Sequence, residues 1–129
     1  MKKEIIIILF IIVAITVLHI ITQTSSSNFF ESISEELTSL EDKIVDDNVD
    51  DAETNKIIDE LQDKWREKYD LYACFIEHDE LEKVSTQLIS ISANLRIKNY
   101  DRSVDEIEKC KFILRHIQDK DSLKFVNIF

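Results

Sequence analysis

FFESISEELTSLEDKI, residues 29–44, decides the fold. Phe30, Ile33, Leu37, Leu40 and Ile44 recur at spacings of 3, 4, 3 and 4. That rhythm lays one apolar seam along a helix and leaves charged residues on the other faces. Toward the C-terminus, Asp46-Asp47-Asn48-Val49-Asp50-Asp51 interrupts the rhythm and reads as a turn. A second seam follows in Ile58, Leu61, Trp65, Tyr69, Tyr72 and Ile76, and a third in Leu81, Val84, Leu88, Ile91 and Leu95. A five-residue step across Glu77–Glu80 joins these two runs, and no breaker residue separates them. They read as one long helix over 52–98; a bend near 77–80 would divide it and raise the helix number from three to four. Asn99-Tyr100-Asp101-Arg102 reads as the next turn, and Ser103-Val104-Asp105-Glu106 matches a capping box. Val104, Ile107, Cys110, Leu114 and Ile117 form the last seam. Reflection about residue 49 sets Ile33 near Trp65, and reflection about 100–101 sets Leu114 near Leu88. Apolar positions meet at each level, so the expected domain is an antiparallel helical hairpin or bundle.

Composition supports the all-α class. The chain has 129 residues with no glycine and no proline. Sheet-rich folds use both for hairpin turns and bulges, and phosphate-cradling loops need glycine. Net charge is −10. Residues 28–60 carry twelve acidic and two basic side chains, whereas 61–129 are close to balance. An acidic surface of this kind argues against nucleic acid and against anionic headgroups as partners.

Toward the N-terminus, Ile5–Ile21 is an apolar run broken only by Thr16 and His19. With Thr22 included, it spans ~27 Å as a helix, just short of a ~30 Å hydrocarbon core. Lys2 and Lys3 precede it, and the next basic residue is Lys43. The positive-inside bias therefore expects a cytoplasmic N-terminus and an external domain. A cleaved signal peptide is the competing reading, but no small-x-small cleavage pattern closes the run. The expected layout is a cytoplasmic tail (1–4), a transmembrane anchor (5–22), a polar linker (23–28), a helical domain (29–120) and an apolar C-terminal tail (121–129).

The residues that carry chemistry are sparse. Cys110 reflects onto Ile91, seventeen residues along the expected long helix from Cys74, or ~25 Å. A disulfide needs Cα atoms within about 7 Å, so both cysteines are expected to be buried free thiols. Asp46-x-Asn48-x-Asp50 imitates the start of an EF-hand loop, but Asp51 and Ile57 stand where glycine and glutamate belong. His78 and Glu82 share a helix face, with Glu77 and Glu80 beside them. One histidine among carboxylates on a charged face is more often solvated or paired than metal-bound. No nucleophile with a base and no carboxylate pair in a cleft can be assembled, so no enzyme and no cofactor are expected.

With these pieces placed, the chain resembles a bacterial membrane-anchored family catalogued as domain of unknown function 4363. The resemblance rests on the anchor, Trp65, the segment Phe75-Ile76-Glu77-His78-Asp79-Glu80-Leu81, the helix Lys111–Ile117 and the ending Asn127-Ile128-Phe129. It implies a small single-pass membrane protein and no activity.

The functional expectation is a non-catalytic, extracytoplasmic interaction or accessory protein. Its partners would be membrane lipid, through the anchor, and another membrane or envelope protein. The alternative is a cation- or ligand-binding module using the acidic turn 46–53 or Glu77, His78, Glu80 and Glu82. The two reflections leave Tyr72, Phe75 and Ile76 uncovered beside His78, and uncovered aromatic patches mark contacts. The tail Leu123–Phe129 is expected to fold back there, with Phe125 level with Ile76 and Phe129 level with Tyr72. A mobile tail would instead leave that segment to a partner helix.

Overall fold

The computed structural model describes residues 1–128, and the side chains of all of these except Gln23 and 121–128. The described residues are all-α, without strands. Four helices run in order: α1 (Lys2–Val45), α2 (Asp51–Tyr72), α3 (His78–Arg96) and α4 (Tyr100–Ile128).

α1 begins with the apolar run, which stands exposed apart from half-buried Thr16, and continues without a break into the domain. By length and composition it is able to cross a membrane. The polar break expected at 23–28 is helical instead. Thr16 and Thr22 donate to the carbonyls of Ile12 and Leu18, so these hydroxyls are absorbed within the helix. Ser26 is buried, and the carbonyl of Ser27 accepts from the Gln118 amide of α4 at 3.0 Å. Tertiary contact thus holds the serine segment helical where its local propensity favoured a cap.

α1 ends in a left-handed residue, Asp47, at φ 58°. The Asn48 N–H reaches back to the Lys43 carbonyl at 3.1 Å, closing a Schellman turn. α3 closes the same way, with Lys98 at φ 60° and the Asn99 N–H on the Asn94 carbonyl. Both sites would ordinarily take glycine, and this chain has none. Asp50 then caps α2, its carboxylate accepting from the Ala52 N–H at 3.1 Å.

The helix read over 52–98 is two helices, matching the four-helix alternative in number, with the break at 73–77 and not at 77–80. Backbone bonds from Cys74 to Leu71 and from Phe75 to Tyr72 tighten the end of α2, and α3 starts after Glu77. The chain doubles back here without glycine or proline, because folding buries the α2 seam against the α3 seam. The Trp65 indole donates to the Ser85 hydroxyl at 2.7 Å, and Arg96 pairs with Asp59 at 2.9 Å, on opposite stretches of that contact. At the next turn the capping box is also corrected. Asn99 is the cap, accepting from the Arg102 N–H, while Ser103 is buried and donates back to the Asn99 carbonyl at 2.8 Å. Ile97, the C-cap residue of α3, is exposed.

α1 packs on α2 and α4, and α3 on α2 and α4. The shared core contains Phe30, Leu37, Leu61, Leu88, Ile107 and Leu114, each at most 1% exposed. One end of the bundle carries the α1–α2 and α3–α4 turns, joined where Tyr100 donates to Asp51 and Lys98 pairs with it at 3.3 Å. The opposite end carries the α2–α3 turn, beside the stretch of α1 that follows the apolar run.

Candidate functional site at the α2–α3 turn

Tyr72, left by the two reflections without a helix over it, was expected to be covered by the C-terminal tail. It is 2% exposed, its ring lying 5.3 Å from Phe29 and 5.4 Å from Phe30, and its side chain hydrogen-bonds Ser25. Because α1 is helical through 23–28, it extends far enough to cover this position. Ile76 is buried as well. Phe75 remains 38% exposed, its ring edge-on to Tyr72 at 5.6 Å. Leu71, one residue before Tyr72, is exposed too.

The charged residues divide in two. Glu77 pairs with Lys120 of α4 at 3.1 Å. Glu80 is buried, with Lys83 at 3.6 Å and Lys120 at 3.8 Å from one carboxylate oxygen, while Oε2 faces inward without a hydrogen bond. His78 and Glu82 lie on the other side, joined through Tyr69. The Tyr69 hydroxyl donates to Glu82 at 2.7 Å and sits 3.2 Å from His78 Nδ1, while His78 Nε2 is 3.3 Å from Glu82. The bond to Glu82 pushes the Tyr69 phenol up to about 12, so this hydroxyl keeps its proton near neutral pH. Among the described residues no three His, Cys, Asp or Glu side chains converge. The expected contacts of Phe125 and Phe129 lie outside the described residues.

The acidic turn is engaged in structure. Asp50 caps α2, Glu53 bonds Lys43, and the Tyr100 hydroxyl followed by Lys98 holds the Asp51 carboxyl below its usual range. Cys74 is exposed, against the expectation of burial, because it sits in the turn that the long-helix reading lacked. Cys110 is buried, and burial pushes its thiol up to about 12.

An open groove of about 740 Å³ between α1 and α4 was not anticipated. Glu31, Glu35, Lys111, Arg115 and Gln118 are among its lining residues. α1 and α4 are far apart in sequence, and neither seam signals that their polar flanks form a concavity. Lys111 spans the two helices, meeting Glu41 at 3.0 Å and Glu108 at 2.9 Å.

No curated protein and no solved structure matches this chain. The sequence pattern of one family matches residues 20–128, from the last residues of the apolar run to the end of α4. On that match, which covers most of its length, the chain belongs to the family described as Domain of unknown function (DUF4363).

Proposed function

We propose that this protein is a single-pass, membrane-anchored helical module that acts by binding and not by catalysis, with its bundle on the outer face. The carrying observation is the unbroken α1, which makes the apolar run and one wall of the core a single rigid element. A helix of this kind sets the height and orientation of the bundle above a bilayer, as suits an accessory subunit docking laterally on another membrane or envelope protein. The α1–α4 groove, with both signs of charge along its walls, is the surface for that partner. The acidic turn is less suited to a cation, since Asp50, Asp51 and Glu53 already serve helix ends and ion pairs.

Asn48, exposed at the end of the bundle far from the apolar run, tests the topology. In full-length protein carrying Asn48→Cys and Cys74→Ser, a membrane-impermeant maleimide should label intact cells. Labelling only after permeabilisation would reverse the orientation, and recovery of the labelled protein in the soluble fraction would remove the anchor. A photo-crosslinker at Arg115 should yield one discrete adduct in the membrane fraction. An adduct from Ile97 but not from Arg115 would move the contact off the groove.

A further inference from the structure

We infer that the last two turns of α4 enter the lipid beside α1, giving the bundle a second, shallow membrane contact. This inference rests on the membrane-anchored reading above.

Two contacts set the register. Gln118 of α4 donates to the Ser27 carbonyl of α1 at 3.0 Å, and Lys120 pairs with Glu77 at the α2–α3 turn at 3.1 Å. At Lys120, α4 has therefore reached the end of the bundle, yet it remains helical to Ile128. The eight further residues carry it ~12 Å onward. Lys111 on Glu41 and Gln118 on Ser27 show that α4 runs antiparallel to α1. In that direction α2 and α3 have already turned back, and only α1 continues, as its apolar run.

The sequence changes character at the matching height. Thr22 lies five residues before Ser27, about 7.5 Å along α1, and five residues beyond Gln118 bring α4 to Leu123. Before that level α4 is charged, through Asp119, Lys120 and Asp121. Beyond it stand Leu123, Phe125, Val126 and Ile128, with Lys124 near the boundary and Asn127 the one polar residue past it. The apolar run of α1 thus ends at the height where the apolar stretch of α4 begins. Exposed Leu71 and Phe75 occupy the same end of the bundle, where a bilayer interface accepts aromatic rings. An anchor slightly shorter than the hydrocarbon core draws this end toward the interface. The contact is apolar, so it needs no anionic lipid.

The test uses the full chain in phosphatidylcholine vesicles, with and without phosphatidylglycerol. An environment-sensitive fluorophore is attached at Phe125→Cys, Phe10→Cys or Phe112→Cys, one at a time in a Cys74→Ser background, and lipids carrying a doxyl quencher on the acyl chain are added. Positions 125 and 10 should be quenched to a similar extent in both vesicle types, and position 112, exposed on the side of α4, should not. Quenching at 10 but not at 125 overturns the inference and leaves the anchor standing. No quenching at either position overturns the anchor and the inference with it. Emission at 125 that is shielded from water yet unquenched places the tail on protein, whether its own α2–α3 turn or a second copy. Quenching at 125 that requires phosphatidylglycerol replaces insertion with surface adsorption. Each of these last two results also overturns the inference.

Discussion

The Trp65 indole is 3% exposed, flanked by Phe29 and Phe30 at 6.2 and 5.9 Å, with its N–H donating to Ser85. It therefore touches α1 and α3 from a position on α2. Trp65→Ala should cost ~3–5 kcal/mol in urea unfolding. Ser85→Ala, which leaves the indole N–H without its acceptor, should cost about 1 kcal/mol. An unchanged midpoint for Trp65→Ala would mean that the three helices do not meet there. Asp47 offers the opposite case. It adopts φ 58° at the C-terminus of α1, a backbone region costly for residues with a Cβ and a helix end that disfavours negative charge. Asp47→Gly should stabilise the fold by about 1 kcal/mol, read as a raised melting temperature; a lowered one would count against the Schellman closure.

At the scale of elements, the continuity of α1 distinguishes this protein from a domain tethered by a flexible linker. Residues 23–28 read as a polar break, because Thr-Ser-Ser-Ser-Asn is cap and turn composition. In the fold the same residues are held by Ser26 burial, the Gln118 bond and the Tyr72 contact with Ser25. Hydrogen exchange on protein in detergent should find amides 24–28 as protected as those of 37–41. Exchange faster by orders of magnitude in 24–28 would restore the linker. The break between α2 and α3 is the converse case: with no local breaker, its only sequence trace was the five-residue step from Ile76 to Leu81. Both errors arise because propensity describes a segment alone, whereas a helix continues or stops according to what it packs against.

Across the whole molecule, the three tyrosines report on separate junctions. Tyr69 bonds Glu82 across α2 and α3, Tyr100 bonds Asp51 across α4 and α2, and Tyr72 is buried against α1. The phenols of Tyr69 and Tyr100 are raised chiefly by those carboxylates and that of Tyr72 by burial, with Tyr69 at about 12. A phenol raised above its unfolded value of 10.0 favours folding below that pH, and the contribution is lost as pH rises through the folded value. Phenolate absorbance of the folded protein should therefore stay low at pH 10 and rise only above it, while protein in urea titrates near 10. Coincident curves would dissolve all three junctions. Within the same fold, Cys74 should react with maleimide in the native state and Cys110 only on unfolding.

The class and the seams were legible from the residues. Helical periodicity is local, so Phe30 to Ile44, Ile58 to Trp65 and Leu81 to Leu95 identify their buried faces before any fold is known. The apolar run of α1 is legible for the same reason, being a property of consecutive side chains. Among the candidate site residues, the sequence reading misjudged how much surface each keeps. Of those whose side chains are described, Tyr72, Ile76 and Glu80 are buried, and Phe75, Glu77 and His78 keep much of their surface. That outcome depended on where α2 stops and how far back α1 remains helical, and both follow from apolar faces burying one another across long sequence separations. The meeting of α1 with α4, with its groove and its Lys111 bridge, is equally beyond a local pattern. Residues 27 and 118 become neighbours only after three intervening turns have closed.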